Sequence, residues 1–459
     1  MMATSLGWAE HAMADATEEL MAATMVEGGS HTPLPRRFVV AATIGNALEF
    51  YDFITYGFFA IQIGHAFFPS HSAYGSLMLS LATFGAGFVT RPIGALVIGT
   101  YADRVGRRAA MMLSFTMMGA AIIVLALIPP YAAIGVAAPI LAIAARMVQG
   151  FSLGGEVGPT TAFLLEAAPA HRRGLAVSWQ GASQQVAATM AGLVGVGLSS
   201  VLSPALLDSW GWRIAFLLGA GALPFGLWIR RALPETLHAP EPAAQADDAS
   251  TTFALIRRHS RVIVLALMAL AAATTGTYVF QYMVTFAQTA LHVSPGLAFL
   301  ASAFGNAAGV AAGLSGGWLT DRFGRRPLLI FPNLAFLVLV LPIYFSMIAA
   351  HSTLVLVAGT TALGFLSGLG GAALYVTLAE ALPKRVRSRV FAVVYASAIA
   401  AFGGSTQLIV SWLIHVTGNP MSPAFYLFAA TLVGQLALTL MSTRATPRVA
   451  IGMAAAALP

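Results

Sequence analysis

Cysteine is absent from this chain of 459 residues, which excludes disulfides, iron–sulfur clusters and Cys-ligated zinc. Charge is scarce too: Asp, Glu, Lys and Arg make up 9% of the residues, against 58% hydrophobic. With a mean hydropathy of +0.80, too little polar surface remains to cover a soluble core, and the chain reads as an integral membrane protein. Lysine occurs once, at Lys384, beside 23 arginines, a bias that suggests a GC-rich bacterial genome and a bacterial inner (plasma) membrane as the address. The ten histidines are scattered without HExxH or comparable spacing, so no metal is expected. No nucleophile, metal or cofactor motif marks an enzyme. The first 37 residues carry acids at Glu10, Asp15, Glu18 and Glu19 but no basic stretch ahead of an apolar run, so they do not read as a cleaved signal peptide.

A formal charge of +7 could suggest nucleic acid, but its placement argues against that partner. Apart from Arg91, Arg146 and Arg213, the basic residues fall in the tails or in alternate loops between apolar runs, which is positive-inside topology with both termini cytoplasmic. The apolar runs are long enough to cross a hydrocarbon core of ~30 Å. They lie near 38–63, 76–99, 109–128, 134–166, 174–203 and 211–231, then near 261–290, 295–319, 327–349, 353–381, 388–415 and 421–443. The sequence thus predicts an all-α integral membrane fold of twelve transmembrane helices. Residues 1–37 form a cytoplasmic tail, 38–231 a six-helix half, 232–260 a linker rich in Ala, Pro and acids, 261–443 a second half, and 444–459 a short tail.

The halves repeat one another. Gly99-Thr100-Tyr101-Ala102-Asp103-Arg104-Val105-Gly106-Arg107-Arg108 returns as Gly317-Trp318-Leu319-Thr320-Asp321-Arg322-Phe323-Gly324-Arg325-Arg326. Likewise Leu165-Glu166-Ala167-Ala168-Pro169 is echoed by Ala379-Glu380-Ala381-Leu382-Pro383; Asp321 follows Asp103 by 218 positions and Glu380 follows Glu166 by 214. Two homologous halves in a membrane mark a secondary transporter, with substrate between halves that rock against each other. In the repeated loops Gly106 and Gly324 allow a tight reversal, and Asp103 and Asp321 can pair with arginines or with a helix N-terminus. The loops therefore read as gating elements, together with Glu166 and Glu380.

Glu49, Asp52, Arg91, Arg146 and Glu156 fall inside spans of the first half, whereas span interiors of the second contain no Asp, Glu, Lys or Arg. Each would cost ~2.5 to 3.5 kcal/mol in lipid, so ion chemistry belongs to one half. Glu49 lies twelve residues past Arg37 and Arg91 twelve before Asp103, roughly 18 Å from the same membrane face at ~1.5 Å per residue. They can face each other, either as a static ion pair or as working groups. Asp52 is then a surplus carboxylate that favours protonation, and Glu49, Asp52 and Glu156 are the candidate proton-coupling residues. Arg146, Gln149 and Glu156 share an arc of the fourth helix, Gln180, Ser183 and Gln184 form a stripe on the fifth, and Thr274, Tyr278, Gln281, Thr285 and Gln288 share a face of the seventh. Arginines suit carboxylates, which accept bidentate hydrogen bonds. Arg91, Arg146, Gln149, Gln180, Gln184, Tyr278 and Gln281 are therefore the candidate substrate-binding residues, with Ser405, Thr406 and Gln407 as weaker ones.

The repeated Asp-Arg-x-Gly-Arg-Arg loops, with Arg146-Met147-Val148-Gln149-Gly150 and the duplicated Glu-Ala-x-Pro segments, resemble the signature motifs of the major facilitator superfamily across residues 38–443. Gly45-Asn46-Ala47-Leu48-Glu49-Phe50-Tyr51-Asp52-Phe53, Arg91-Pro92-Ile93-Gly94 and Trp210-Gly211-Trp212-Arg213 resemble its metabolite:proton symporter branch. Ser178-Trp179-Gln180-Gly181-Ala182-Ser183-Gln184-Gln185-Val186 and Trp412-Leu413-Ile414-His415-Val416-Thr417-Gly418 look like bacterial citrate and tricarballylate importers. The resemblance implies import of a small organic anion with protons by a monomer in the bilayer. Importers of other organic acids or osmolytes, drug exporters and non-transporting nutrient sensors share the fold and are the alternatives.

Overall fold

A computed structural model describes residues 36–154, 172–231, 260–381 and 395–441. Every regular element among them is helical, as hydrocarbon requires of a chain that satisfies its own backbone polar groups. Nine helices among the described residues are long and apolar enough to cross a membrane. Three more complete a twelve-helix, two-half architecture. The first span runs Arg36–Phe58, after which Ala60–Phe67 carries the chain past the expected end at residue 63, the fifth is Arg173–Val201, and the sixth is divided into Trp212–Gly221 and Leu223–Arg231. The first and fifth carry charged and amide side chains that lower their hydropathy, and the break in the sixth shortens it.

Small residues set the helix spacing. Where the fifth span passes the eighth (Pro295–Phe323), a Cβ added at Gly192 would meet Ala303 at 3.0 Å, and one at Gly195 would meet the Phe299 ring at 2.5 Å. In the fourth span (Ala137–Gly154), Gly150 and Gly154 lie against the carbonyls of Gly87 and Arg91 with no room for a side chain. The second span breaks there, into Ala73–Val89 and Arg91–Val105. Pro92 has no N–H to offer, and the Phe88 carbonyl instead accepts from the Thr90 N–H. The Thr90 hydroxyl donates to the Met147 carbonyl at 2.7 Å. The break fixes where Arg91 leaves the helix.

The seventh span is likewise interrupted, Ser260–Gln281 then Met283–Thr289. The eleventh, Tyr395–Thr417, contains a π-helical turn, Ile399–Gly403, followed by Gly404–Thr417. The repeated loops reverse at Gly106 (φ 124°) and Gly324 (φ 85°), conformations that glycine adopts without steric cost. Glu156 and Glu166 lie outside the described residues, as do the side chains of Asp103, Arg107 and Glu380, the segment 232–259 and the terminal segments 1–35 and 442–459.

Candidate functional site

The first span brings Asn46, Glu49 and Asp52 to the interior, each no more than 2% exposed. Asn46 ties this face to the fifth span: its Nδ2 donates to Ser183 Oγ at 2.6 Å and to the Gln180 carbonyl at 3.3 Å. Ser183 is therefore spent on holding two helices together, and Gln180 joins it through its carbonyl and a long Nε2 bond to Asn46 Oδ1 at 3.4 Å. Asp52 points at the sixth span, where Gly219 leaves its carboxylate room that a side chain would fill. Asp52 Oδ1 has no hydrogen-bond partner among the described residues.

Arg91 and Arg146 sit in an aromatic enclosure. The Arg91 guanidinium carbon lies 4.4 Å from the Phe53 ring centre and 4.2 Å from that of Phe88. That of Arg146 lies 4.7, 4.4 and 5.1 Å from Phe53, Tyr56 and Phe84. Phe53, Phe84 and Phe88 pack on one another at 4.8 to 5.3 Å, and Tyr278 of the other half closes the group 5.2 Å from Phe88. Ring faces attract cations most when water is excluded, and Arg146 is fully buried. Its Nη1 donates to Gln149 Oε1 at 2.7 Å, while Nε and Nη2 have no partner among the described residues. These rings went unnoticed in the sequence, although Phe53 with Tyr56 and Phe84 with Phe88 stand three and four apart, the spacing of neighbours on one helix face.

A cavity of about 200 Å³ lies beside this layer, lined by the fifth, seventh, eighth, ninth, tenth and twelfth spans. Of the seven expected substrate residues, Gln184 and Gln281 line it. Arg91, Arg146, Gln149, Gln180 and Tyr278 do not: the arginines stand among the rings, Gln149 is bonded to Arg146, Gln180 is hydrogen-bonded to Asn46, and Tyr278 is one of the rings. Gln185, Asn306 and Asn333 join the lining instead, and among the lining residues there is no Asp, Glu, Lys, Arg or His.

The halves touch at several levels. Asp321 accepts hydrogen bonds from the backbone N–H groups of Gly174 and Leu175. A Cβ on Gly85 would lie 2.7 Å from the Gly404 carbonyl oxygen. On the side away from the repeated loops, Tyr74 stacks on His415 with ring centres 3.7 Å apart. There, beyond the expected end of the first span, His65 Nδ1 is 2.8 Å from Asp208. The Asp208 carboxylate raises the His65 pKa above its ordinary value, partly opposed by burial.

Two family descriptions match the chain: "Sugar (and other) transporter" over residues 38–246 and "Major Facilitator Superfamily" over residues 283–456. A citrate-proton symporter of Klebsiella pneumoniae is 38% identical over 87% of this chain and 90% of its own length. A proline/betaine transporter of Escherichia coli is 30% identical over 87% of this chain and 82% of its own. Among solved structures, that of a D-xylose-proton symporter superposes with a TM-score of 0.69 at 18% identity, covering 88% of this chain and 97% of that one; at this identity the likeness speaks for the fold.

Proposed function

The chain belongs to the major facilitator superfamily, and from that premise we propose that it imports a di- or tricarboxylate, citrate or tricarballylate, by proton symport and alternating access. One observation carries the reading: buried carboxylates, Glu49 and Asp52, lie in a charged layer next to an uncharged cavity lined by amides. Such a layer can exchange a proton while a neighbouring cavity holds substrate, and coupling needs both. Gln184 and Gln281 hold substrate in the cavity. Arg91 and Arg146, with Gln149, Gln180 and Tyr278, keep positive charge beside the carboxylates, so gain or loss of a proton changes the net charge of a low-dielectric layer.

The two halves, 38–231 and 261–443, rock about that layer. The loops at Asp103, Arg104, Gly106, Arg107 and Arg108 and at Asp321, Arg322, Gly324, Arg325 and Arg326, with Glu166 and Glu380, gate one side. The arginine distribution supports a bacterial inner membrane with both termini cytoplasmic, where the protein works as a monomer.

The test is uptake of labelled citrate by proteoliposomes under an imposed pH gradient, with unlabelled di- and tricarboxylates as competitors. Accumulation that collapses with the gradient is expected; uptake indifferent to the gradient would overturn the symport reading. A second reading, import of an osmolyte, is favoured by the proline/betaine relatives and by the uncharged cavity wall. Labelled proline and betaine belong in the same assay, and uptake of them with none of citrate would establish it.

A further inference from the structure

Asn306, on the eighth span, lines the cavity and is 1% exposed. Its Nδ2 donates to the Ser302 carbonyl at 2.7 Å and to Ser302 Oγ at 3.2 Å. A backbone carbonyl only accepts, so turning the amide over would set oxygen against oxygen, and the bond to Ser302 fixes which amide atom is which. The atom left over is Oδ1, an acceptor with no partner among the described residues. Gln281 Oε1, on the seventh span of the same lining, likewise has no partner among the described residues, although no bond fixes the orientation of that amide. Buried acceptors of this kind are costly unless something donates to them.

An ionised carboxylate has no proton to donate; placed here it would set acceptor against acceptor. The chemistry that fits is an O–H or an N–H, and an organic acid without nitrogen offers the first. Resting on the reading of the cavity as an organic-acid site, we propose that Asn306 is a specificity-determining residue: its Oδ1 accepts a hydrogen bond from a hydroxyl of the substrate, so the protein selects hydroxylated polycarboxylates over those without a hydroxyl. Gly309, one turn on, lets the Gln185 amide come close: a Cβ there would lie 3.0 Å from Gln185 Nε2. Tyr375 is the one titratable side chain among the lining residues, so selection by Asn306 does not depend on ionisation of a cavity carboxyl, amine or imidazole. A site built around a substrate hydroxyl rejects the analogue that lacks it, because its own buried polar group is then left unpaired.

Citrate and tricarballylate differ by one hydroxyl and make the test direct. Calorimetric titration of the full-length purified protein with each acid at about pH 8, where both are ionised, should show citrate bound about tenfold or more tightly. In Asn306→Leu citrate affinity should fall to the level of tricarballylate, whose own affinity is retained or improved, and that retained binding shows the variant folded. Should the bulkier variant not fold, Asn306→Ala gives the same comparison. Equal binding of the two acids by the wild type, or undiminished preference for citrate in both variants, would overturn the proposal. So would a preference that vanishes on acidification because tricarballylate gains affinity through Asn306, since the donor would then be a protonated carboxyl. If the wild type binds neither acid, the organic-acid reading fails, and this inference with it.

Discussion

Asp321 at the end of the eighth span caps the fifth: its two carboxylate oxygens accept from the N–H of Gly174 at 2.7 Å and of Leu175 at 2.9 Å. A carboxylate there satisfies donors that the helix cannot pair itself and meets the positive end of its dipole. Because Asp321 and Gly174 belong to different halves, the cap also fastens the halves together. Asp321→Asn should remove about 1 kcal/mol of that fastening and shift the balance between the two access states several-fold, changing transport rate far more than equilibrium affinity. Since the chain has no cysteine of its own, pairs introduced across this seam report its opening by cross-linking. A large loss of citrate affinity at normal maximal rate would contradict the gating role, and Asp103→Asn, in the matching loop, should behave in the same way.

Glu49→Gln and Asp52→Asn should each abolish uphill, gradient-driven uptake. Exchange between equally loaded compartments should survive at least one of them, because exchange does not require release of the proton. If both variants accumulate citrate uphill like the wild type, neither carboxylate couples the proton.

For Arg146, a guanidinium sealed among aromatic rings and bonded to Gln149 predicts a structural loss on truncation. Arg146→Ala should lower thermal stability substantially, by about 3 kcal/mol or more, since a buried charge layer is left unbalanced. It should weaken citrate, tricarballylate and acetate alike. Thermal-shift titration separates this from direct recognition, for which a well-folded variant would lose the tricarboxylates and keep acetate.

The His65–Asp208 pair predicts a pH effect of known sign. A histidine whose folded pKa is raised stabilises the fold fully below its unfolded value of ~6.5 and ceases to do so as pH rises through the raised value. Both side chains are more than 40% exposed, so the effect should be well under about 1 kcal/mol. The histidine NMR titration is the sharper measurement: its midpoint should lie above that of a free histidine and return toward it in Asp208→Asn. An identical midpoint in the two proteins would show that the pair is not formed in solution.

The twelve spans and the buried ionisable groups were legible because both announce themselves against an apolar background: a run of ~20 hydrophobic residues has one use, and Asp52 inside it has few. The aromatic enclosure was not, since Phe84 and Phe88 in an apolar span look the same whether they face lipid, core or a cation. Helical periodicity also grouped Tyr278 with Gln281, but the two line different spaces, Tyr278 the enclosure and Gln281 the cavity. It gathered Gln180 with Gln184 as well, and only contact with Asn46 distinguishes them. Asn306 lies among Gly and Ala and has no polar stripe to draw notice; what singles it out is the orientation of one amide.

The uncharged wall of the cavity bears on capture as well as selectivity. A mouth lined with fixed positive charge draws anions in over a Debye length, at the cost of a rate that falls as salt rises. Here no Asp, Glu, Lys, Arg or His lines the cavity, and Arg91 and Arg146 stand among the rings of Phe53, Phe84, Phe88 and Tyr278 instead, so the lining itself adds no such pull. Any salt dependence of association should then report the arginines of the loops and of the buried layer, and substitution of the cavity amides should change affinity while leaving that dependence as it is.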